Sequence, residues 1–134
     1  MPNLNVYLVE GFTAEQKASL LQRMTDAVVT SIAAPKESVR IFLIELPKAH
    51  ICVGGVTLLA DAQVGQAAQP GGPTVHVFLI AGRTEAQKEA LIGSLTRAID
   101  ATLAIPADPV RIMIFDVANT DFGMQGVTAK SLGR

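Results

Sequence analysis

Two stretches of the chain alternate between apolar and polar positions in the way that strands do. Residues 3–9 and 74–80 show this period of two, and both are rich in β-branched and aromatic side chains. The pattern predicts strands that bury one face. A glycine follows each stretch, Gly11 or Gly82, and is expected to end the strand there.

A helical pattern follows each predicted strand. Thr13 with Gln16, and Thr84 with Gln87, have the spacing of a capping box, in which two side chains satisfy free backbone N–H groups at a helix start. Beyond them, apolar residues recur every three or four positions and form one stripe in each helix. We interpret both stripes as core: Leu20, Leu21, Met24, Ala27, Val28 and Ile32 in the first, and Ala90, Leu91, Leu95, Ala98, Ile99 and Leu103 in the second.

A second strand is predicted after each helix. Pro35 and Pro106 are expected to end the two helices, and residues 39–46 and 110–117 have the composition of strands. A strand, a helix and a second strand in this order predict a right-handed parallel β-α-β crossover.

The two halves are copies of one unit. Residues 2–11 align with residues 73–82, and the same offset continues without a gap through the helix and the second strand. The glycines at 54–55 and within 123–126 then predict a short turn or hairpin after each unit.

The segment between the copies is interpreted as a linker. Residues 60–72 end in Gln-Pro-Gly-Gly and have no counterpart in the second half. We therefore expect a single domain, residues 1–134, made of two β-α-β units at about 2–59 and 73–134.

Two such units side by side predict an α+β fold, with a four-stranded sheet and both helices on one face. The other face of this sheet is apolar as well, and the mean hydropathy of the chain is +0.37. An apolar face of this kind needs cover from other subunits, so the chain is expected to form a homo-oligomer.

Charge and composition exclude several classes of partner. The net charge is −1 with both signs interspersed, so neither nucleic acid nor a membrane surface is an expected partner. No apolar run is long enough to span a bilayer, and the first residues do not resemble a signal peptide. The single cysteine, Cys52, fits a reducing cytoplasm and has no partner at metal-ligand spacing, so no metal and no cofactor are expected.

The motifs resemble those of a known family. Pro2 directly after Met1, the β-α-β unit and the run EGFTAEQK at residues 10–17 together resemble the tautomerase superfamily, most closely a fused, two-unit form of 4-oxalocrotonate tautomerase. The most specific parts are Pro2, Gly82-Arg83, Ser38-Val39-Arg40 with its echo Pro109-Val110-Arg111, and residues 122–126. The resemblance implies an isomerase that binds a small carboxylate substrate and assembles as a homotrimer.

Pro2 is the expected catalytic residue. Removal of Met1 frees its nitrogen as a secondary amine, and an α-amino group titrates near neutrality. Partial burial and nearby arginines disfavour the cation, so the amine becomes a general base that can carry a proton at neutral pH. A proline that merely starts an edge strand is the alternative, and the repeat and the arginines weigh against it. Pro73 occupies the equivalent place, but its nitrogen is a tertiary amide and cannot be a base.

The resemblance also implies the substrate-binding residues around Pro2. Arg83 follows the first strand of the second unit, Phe122 lies in the hairpin of that unit, and Arg111 comes from a neighbouring subunit. Two guanidiniums can hold a carboxylate and stabilise an enolate oxygen, and Phe122 would exclude water. Arg40 is a further candidate for substrate binding.

The second unit lacks most of this set. The residues implied for Pro73 are Phe12, Ile51 and Arg40, so the first arginine and the phenylalanine are missing. One live site and one relic site are therefore expected in each chain.

The expected function is enol–keto isomerisation of a small 2-oxo acid or an unsaturated dicarboxylate. Hydrating and dehalogenating relatives carry a carboxylate where Met124 stands, and a decarboxylase relative carries Asp where Ser38 stands, with Glu37 one position away. A decarboxylase, hydratase or dehalogenase of a three-carbon acid stays open as an alternative. So does a non-catalytic trimeric binding protein.

Overall fold

The structure is a computed structural model that describes residues 2–59, 72–104 and 110–134. The first unit comprises β1 (Asn3–Val9), α1 (Ala14–Ile32), β2 (Arg40–Leu46) and a hairpin of β3 (Cys52–Val53) and β4 (Val56–Thr57). The second comprises β5 (Thr74–Ile80), α2 (Glu85–Leu103), β6 (Arg111–Val117) and a hairpin of β7 (Gly123–Met124) and β8 (Val127–Thr128). The predicted order of elements is confirmed in both units. Pro106 and nearly all of the predicted linker lie outside the described residues.

Both helices begin at a capping box, as predicted. Thr13 Oγ1 accepts a hydrogen bond from the backbone N–H of Gln16 at 3.1 Å, and Gln16 Oε1 accepts one from the N–H of Thr13 at 2.9 Å. Thr84 and Gln87 form the same two bonds at 3.1 and 2.9 Å. The identical caps start both helices at equivalent positions of the repeat.

Helix α1 ends at Ile32, before the proline that was expected to end it. Ala33 adopts the left-handed region with φ 53°, which closes the last turn. Pro35 then leads into a short 3₁₀ turn, Lys36–Ser38. The N–H of Val39 donates to the carbonyl of Lys36 in this turn at 3.2 Å, so β2 starts one residue later than predicted.

The four long strands form one mixed sheet in the order β2-β1-β5-β6. Each unit contributes a parallel pair, and the two units meet in the antiparallel pair β1/β5, with Asn3 opposite Phe78 and Tyr7 opposite Thr74. This register relates the units by an approximate two-fold axis. Continued by one residue, it sets Pro2 opposite Leu79 and Pro73 opposite Leu8, so the two prolines lie at opposite ends of the sheet.

The core lies between the sheet and the two helices, which pack against each other on one face. The inward residues of the central strands and the helix stripes are fully buried: Leu4, Val6, Leu8, Leu20, Met24, Val28, Ile32, Val75, Val77, Leu79, Leu91, Leu95 and Ile99. The predicted fold class, a four-stranded sheet with both helices on one face, is confirmed.

The face of the sheet opposite the helices is apolar, and no described part of the chain covers it. Phe42, Met113 and Phe115 on this face are 56%, 43% and 40% exposed. A row of rings crosses it, with neighbouring centroids 5.0 to 5.5 Å apart: Tyr7, His76, Phe115 and Phe78. We call this surface the open face.

The two predicted hairpins are present. Gly54 and Gly55 turn between β3 and β4 with φ 60° and 85°, and Gln125 and Gly126 turn between β7 and β8 with φ 52° and 85°. Positive φ at both central residues is the geometry that two-residue hairpins favour. In the described segments, no helix combines the length and the apolarity needed to cross a bilayer.

Candidate active site

Pro2 is buried directly before the central strand β1. Its carbonyl accepts a hydrogen bond from the N–H of Arg40 at 3.0 Å, which fixes the start of β1 against β2. On the other side of Pro2, the register of the β1/β5 pair places Leu79 of β5 opposite it. Because proline has no N–H to lose, it costs nothing at a strand start.

Arg83 lies in the turn between β5 and α2. Gly82 has φ 130°, a conformation that favours glycine, and Thr84 caps the helix directly afterwards, so both neighbours of Arg83 are fixed. Arg83 itself is half-buried, and its Nη1 donates to the carbonyl of Ile32, the last residue of α1. Carbonyls at a helix end lack partners within the helix, and a cation is favoured there. The end of the first helix therefore orients the arginine of the second unit.

These residues surround one cleft of about 870 Å³. Pro2, Arg40 and Arg83, three of the residues that the sequence predicted, all line it. The other lining residues are Pro35, Glu37, Ser38, Leu79, Ile80, Ala81, Gly82, Gln87, Met124 and Arg134. Three arginines and one glutamate give the cleft an excess of positive charge, although the chain as a whole has a net charge of −1. Such a cleft suits an anionic ligand.

Two predicted site residues are not brought to Pro2 within one chain. The N–H of Arg111 donates to the carbonyl of Pro73 at 3.1 Å, so Arg111 lies at the other end of the sheet. Phe122 is half-buried and does not line the cleft, whereas Met124 of the same hairpin does. Arg111 was expected from a neighbouring subunit, and that placement stays a prediction, as does the role of Phe122.

The end of the sheet around Pro73 repeats the backbone and changes the side chains. Pro73 is buried, and its nitrogen belongs to the peptide bond with Gly72. Phe12, at the position equivalent to Arg83, is packed against the hydrophobic core. No cationic side chain can therefore come from that turn.

Arg134 is a cleft residue that sequence reasoning did not find. It is far from Pro2 along the chain and belongs to no motif of the repeat. Its place depends on the 3₁₀ turn Lys130–Leu132 and on Gly133 with φ 74°, which lead the backbone back toward β7.

In the described part of the chain, no three His, Cys, Asp or Glu side chains group as metal ligands would.

Comparison with known proteins places both units in one family. A family model described as "Tautomerase enzyme" matches residues 2–60 and again residues 73–131. A 2-hydroxymuconate tautomerase of Comamonas testosteroni is 40% identical over 62 residues, which is 46% of this chain and 98% of that protein. This relative therefore corresponds in length to a single unit.

Solved structures match the whole chain. A fused 4-OT described as a wild-type asymmetric trimer is 49% identical with a TM-score of 0.86, covering 98% of this chain and 99% of that one. A protein whose structure is described as inactivated by 2-oxo-3-pentynoate is 38% identical, with a TM-score of 0.86 and the same coverage.

Proposed function

Because the chain belongs to the Tautomerase family of enzymes and is an isomerase, we propose that it interconverts the enol and keto forms of a small 2-oxo acid or an unsaturated dicarboxylate. The general base in this proposal is the amine of Pro2 after removal of Met1. The observation that carries it is the cleft in which Pro2 lies together with Arg83 and Arg40.

The proton transfer needs only one group of the protein. The Pro2 nitrogen accepts the proton of the enol hydroxyl as the C–O bond becomes a carbonyl and the electrons shift along the conjugated carbon chain. The resulting secondary ammonium returns a proton to a carbon of that chain. Proton and charge balance over the cycle, so no co-reactant is required. The positive charges of Arg40 and Arg83, which line the same cleft, favour the neutral form of the amine, which is the form that acts as a base.

Arg83 would bind the substrate and stabilise its charge. Its Nη1 is committed to the carbonyl of Ile32, and the remaining N–H groups of the guanidinium can donate to a carboxylate or to the developing enolate oxygen. Since the group is held in place before the substrate arrives, little reorganisation is needed at the moment of reaction. In an assembly, Arg111 of a neighbouring subunit and Phe122 complete the site in this proposal.

Only one site in each chain would be active. Pro73 has no free amine. At the Pro73 end of the sheet, Phe12 is packed against the core and occupies the position that Arg83 has at the Pro2 end. The approximate two-fold axis therefore relates the proposed active site at Pro2 to an equivalent position at Pro73 that is expected to be inactive.

The chain would work as a homotrimer. The open face exposes three large apolar side chains, Phe42, Met113 and Phe115, and patches of this kind mark subunit contacts. The fused 4-OT relative at 49% identity is described as a trimer, which supports the same assembly here.

Glu37 supports a second candidate function. It lines the cleft together with Pro2, so its carboxylate could orient a water molecule. An oriented water would allow hydration of a three-carbon acid, and the same carboxylate could instead orient such an acid for loss of CO₂. If this second function dominates, Glu37→Gln should abolish it and leave enol–keto turnover unchanged.

The test of the main proposal is a turnover assay on protein of known mass. Intact mass spectrometry should show a chain without Met1, and this protein should convert 2-hydroxymuconate or phenylenolpyruvate, followed by loss of enol absorbance. A mass that retains Met1 in active protein would rule out the Pro2 amine as the base. Ligand binding without turnover of any enol would identify a binding protein instead.

A further inference from the structure

Gln87 belongs to the capping box of α2 and also lines the cleft with Pro2 and Arg83. Its side chain is half-buried, and it follows Arg83 by one helical turn, on the other side of the N-cap residue Thr84. The proposed mechanism gives this side chain no role. The capping bond, however, uses only one end of its amide group.

The capping bond determines which end of the amide is left over. Gln87 Oε1 accepts from the backbone N–H of Thr84 at 2.9 Å and from the Thr84 hydroxyl at 3.4 Å. A backbone N–H can only donate, so the amide atom that meets it has to be the oxygen. The Nε2 group keeps both of its N–H donors, and in the described part of the chain no hydrogen bond uses it.

Gln16 is the equivalent residue of the first unit and has the same local structure. It forms the same two capping bonds with Thr13, at 2.9 and 3.1 Å, and it is half-buried as well. Gln16 does not line the cleft, because α1 begins at the Pro73 end of the sheet. The two glutamines therefore share their structural role and differ in their access to the cleft.

We propose that Gln87 is a substrate-binding residue whose Nε2 donates a hydrogen bond to the carboxylate that Arg83 also binds. The inference rests on the proposed function and adds a neutral donor to its site. A carboxylate has about four acceptor positions, and one nitrogen of Arg83 is committed to the carbonyl of Ile32, so the guanidinium leaves some of these positions unfilled. Because the cap holds the amide in place before the substrate arrives, little side-chain entropy is lost on binding.

Two substitutions remove this donor in different ways. Gln87→Met keeps the length and the neutrality of the side chain and loses the capping oxygen. Gln87→Glu keeps an oxygen that can cap the helix, as glutamate does in capping boxes, and adds a negative charge. The matched controls are Gln16→Met and Gln16→Glu, because they make the same changes in the identical cap at the Pro73 end.

Muconate tests binding without any reaction, since it lacks the enol hydroxyl of 2-hydroxymuconate. By isothermal titration calorimetry, Gln87→Met should bind it about ten-fold more weakly than the wild type, the loss expected for one hydrogen bond to a charged group, and both Gln16 variants should stay within about two-fold of the wild type. Gln87→Glu should bind at least as weakly as Gln87→Met, because its carboxylate also repels the ligand.

The kinetics should show a change in KM without a change in kcat. The substrate carboxylate has the same charge in the ground state and in the transition state, so a donor to it stabilises both equally. Gln87→Met should therefore raise KM for 2-hydroxymuconate about ten-fold and leave kcat within about two-fold of the wild-type value. This pattern separates Gln87 from Arg83, whose loss should lower kcat as well.

Each outcome decides the role of Gln87. Weaker muconate binding in Gln87→Met alone would assign the effect to the lost cap, and weaker binding in Gln87→Glu alone would assign it to the added charge. Either result would overturn the inference, as would equal losses in the Gln16 variants or wild-type protein that does not bind muconate. Failure of the wild-type protein to convert an enol would refute the proposed function instead, and the muconate series would still decide whether Gln87 binds a carboxylate.

Discussion

Arg83 and Phe12 occupy the same place in the repeat and have opposite environments. Phe12 is packed against the core, whereas Arg83 lines the cleft and donates to the carbonyl of Ile32 at the end of α1. The substitution of phenylalanine for arginine between the copies therefore removes one cationic group from the Pro73 end of the sheet.

Arg83→Ala should raise KM and lower kcat. In the proposed mechanism the guanidinium binds the substrate carboxylate and also stabilises the enolate charge, and loss of one such donor typically costs on the order of 10²–10³ in rate. Steady-state kinetics with 2-hydroxymuconate measure both constants. Arg97→Ala serves as the control, because Arg97 is exposed on α2 and does not line the cleft. A kcat of Arg83→Ala within two-fold of the wild-type value would contradict a role in the transition state.

At the scale of elements, most of the fold could be predicted, because the sequence patterns that indicate each helix, strand and turn are local and occur in both units. The capping boxes, the period-two strands and the turn glycines each fix one element within a few residues of sequence. The fold class that follows from these elements, and the family that the motifs around Pro2 resemble, are confirmed by the twofold family match and by the whole-chain structural match.

The remaining features depend on backbone conformations and distant contacts that the sequence does not indicate. The end of α1 is set by the left-handed Ala33, whose type gives no such signal in the sequence. Each unit has an ion pair between its helix and its second strand, Lys17 with Glu45 at 2.7 Å and Lys88 with Asp116 at 2.6 Å. The two partners of each pair lie far apart in the sequence, so no local pattern predicts them. Arg134 reaches the cleft only through the tertiary path of the last turn, so no motif could identify it.

Ala33→Gly should stabilise the protein. A left-handed conformation strains a residue with a Cβ, and glycine is the usual residue at this position of a helix end, so we expect a gain of about 0.5–1 kcal/mol in the free energy of unfolding. Ala18→Gly, at an exposed position inside α1, should instead lose about 1 kcal/mol. Urea unfolding of both variants at one protein concentration gives the comparison. A loss of stability in Ala33→Gly would refute the cost assigned to this conformation.

At the scale of the whole molecule, the open face and the distribution of arginines both point beyond one chain. Phe115 and its neighbours form an apolar surface with no cover from the described parts of the chain. Arg111 lies at the Pro73 end of the sheet, so it can serve Pro2 only from another subunit.

Sedimentation at micromolar concentration should therefore give about three times the chain mass of 14.1 kDa. Phe115→Glu should dissociate the assembly, because it places a charge on the open face. Ile92→Glu is the matched control, since Ile92 on α2 is 41% exposed and Phe115 is 40% exposed. A stable, active monomer of the wild-type chain would contradict the proposed assembly, and so would equal dissociation by both variants.

The claim on which the account depends most is that the two prolines of the repeat have different roles. Its most direct measurement is steady-state turnover of 2-hydroxymuconate by Pro2→Ala and Pro73→Ala, with circular dichroism to establish that both are folded. Pro2→Ala should lose most of its kcat, because a primary amine of different basicity and direction replaces the constrained secondary amine. Pro73→Ala should keep nearly full turnover, because its nitrogen is an amide in both proteins. Equal losses in the two folded variants would contradict the assignment of Pro2 as the base.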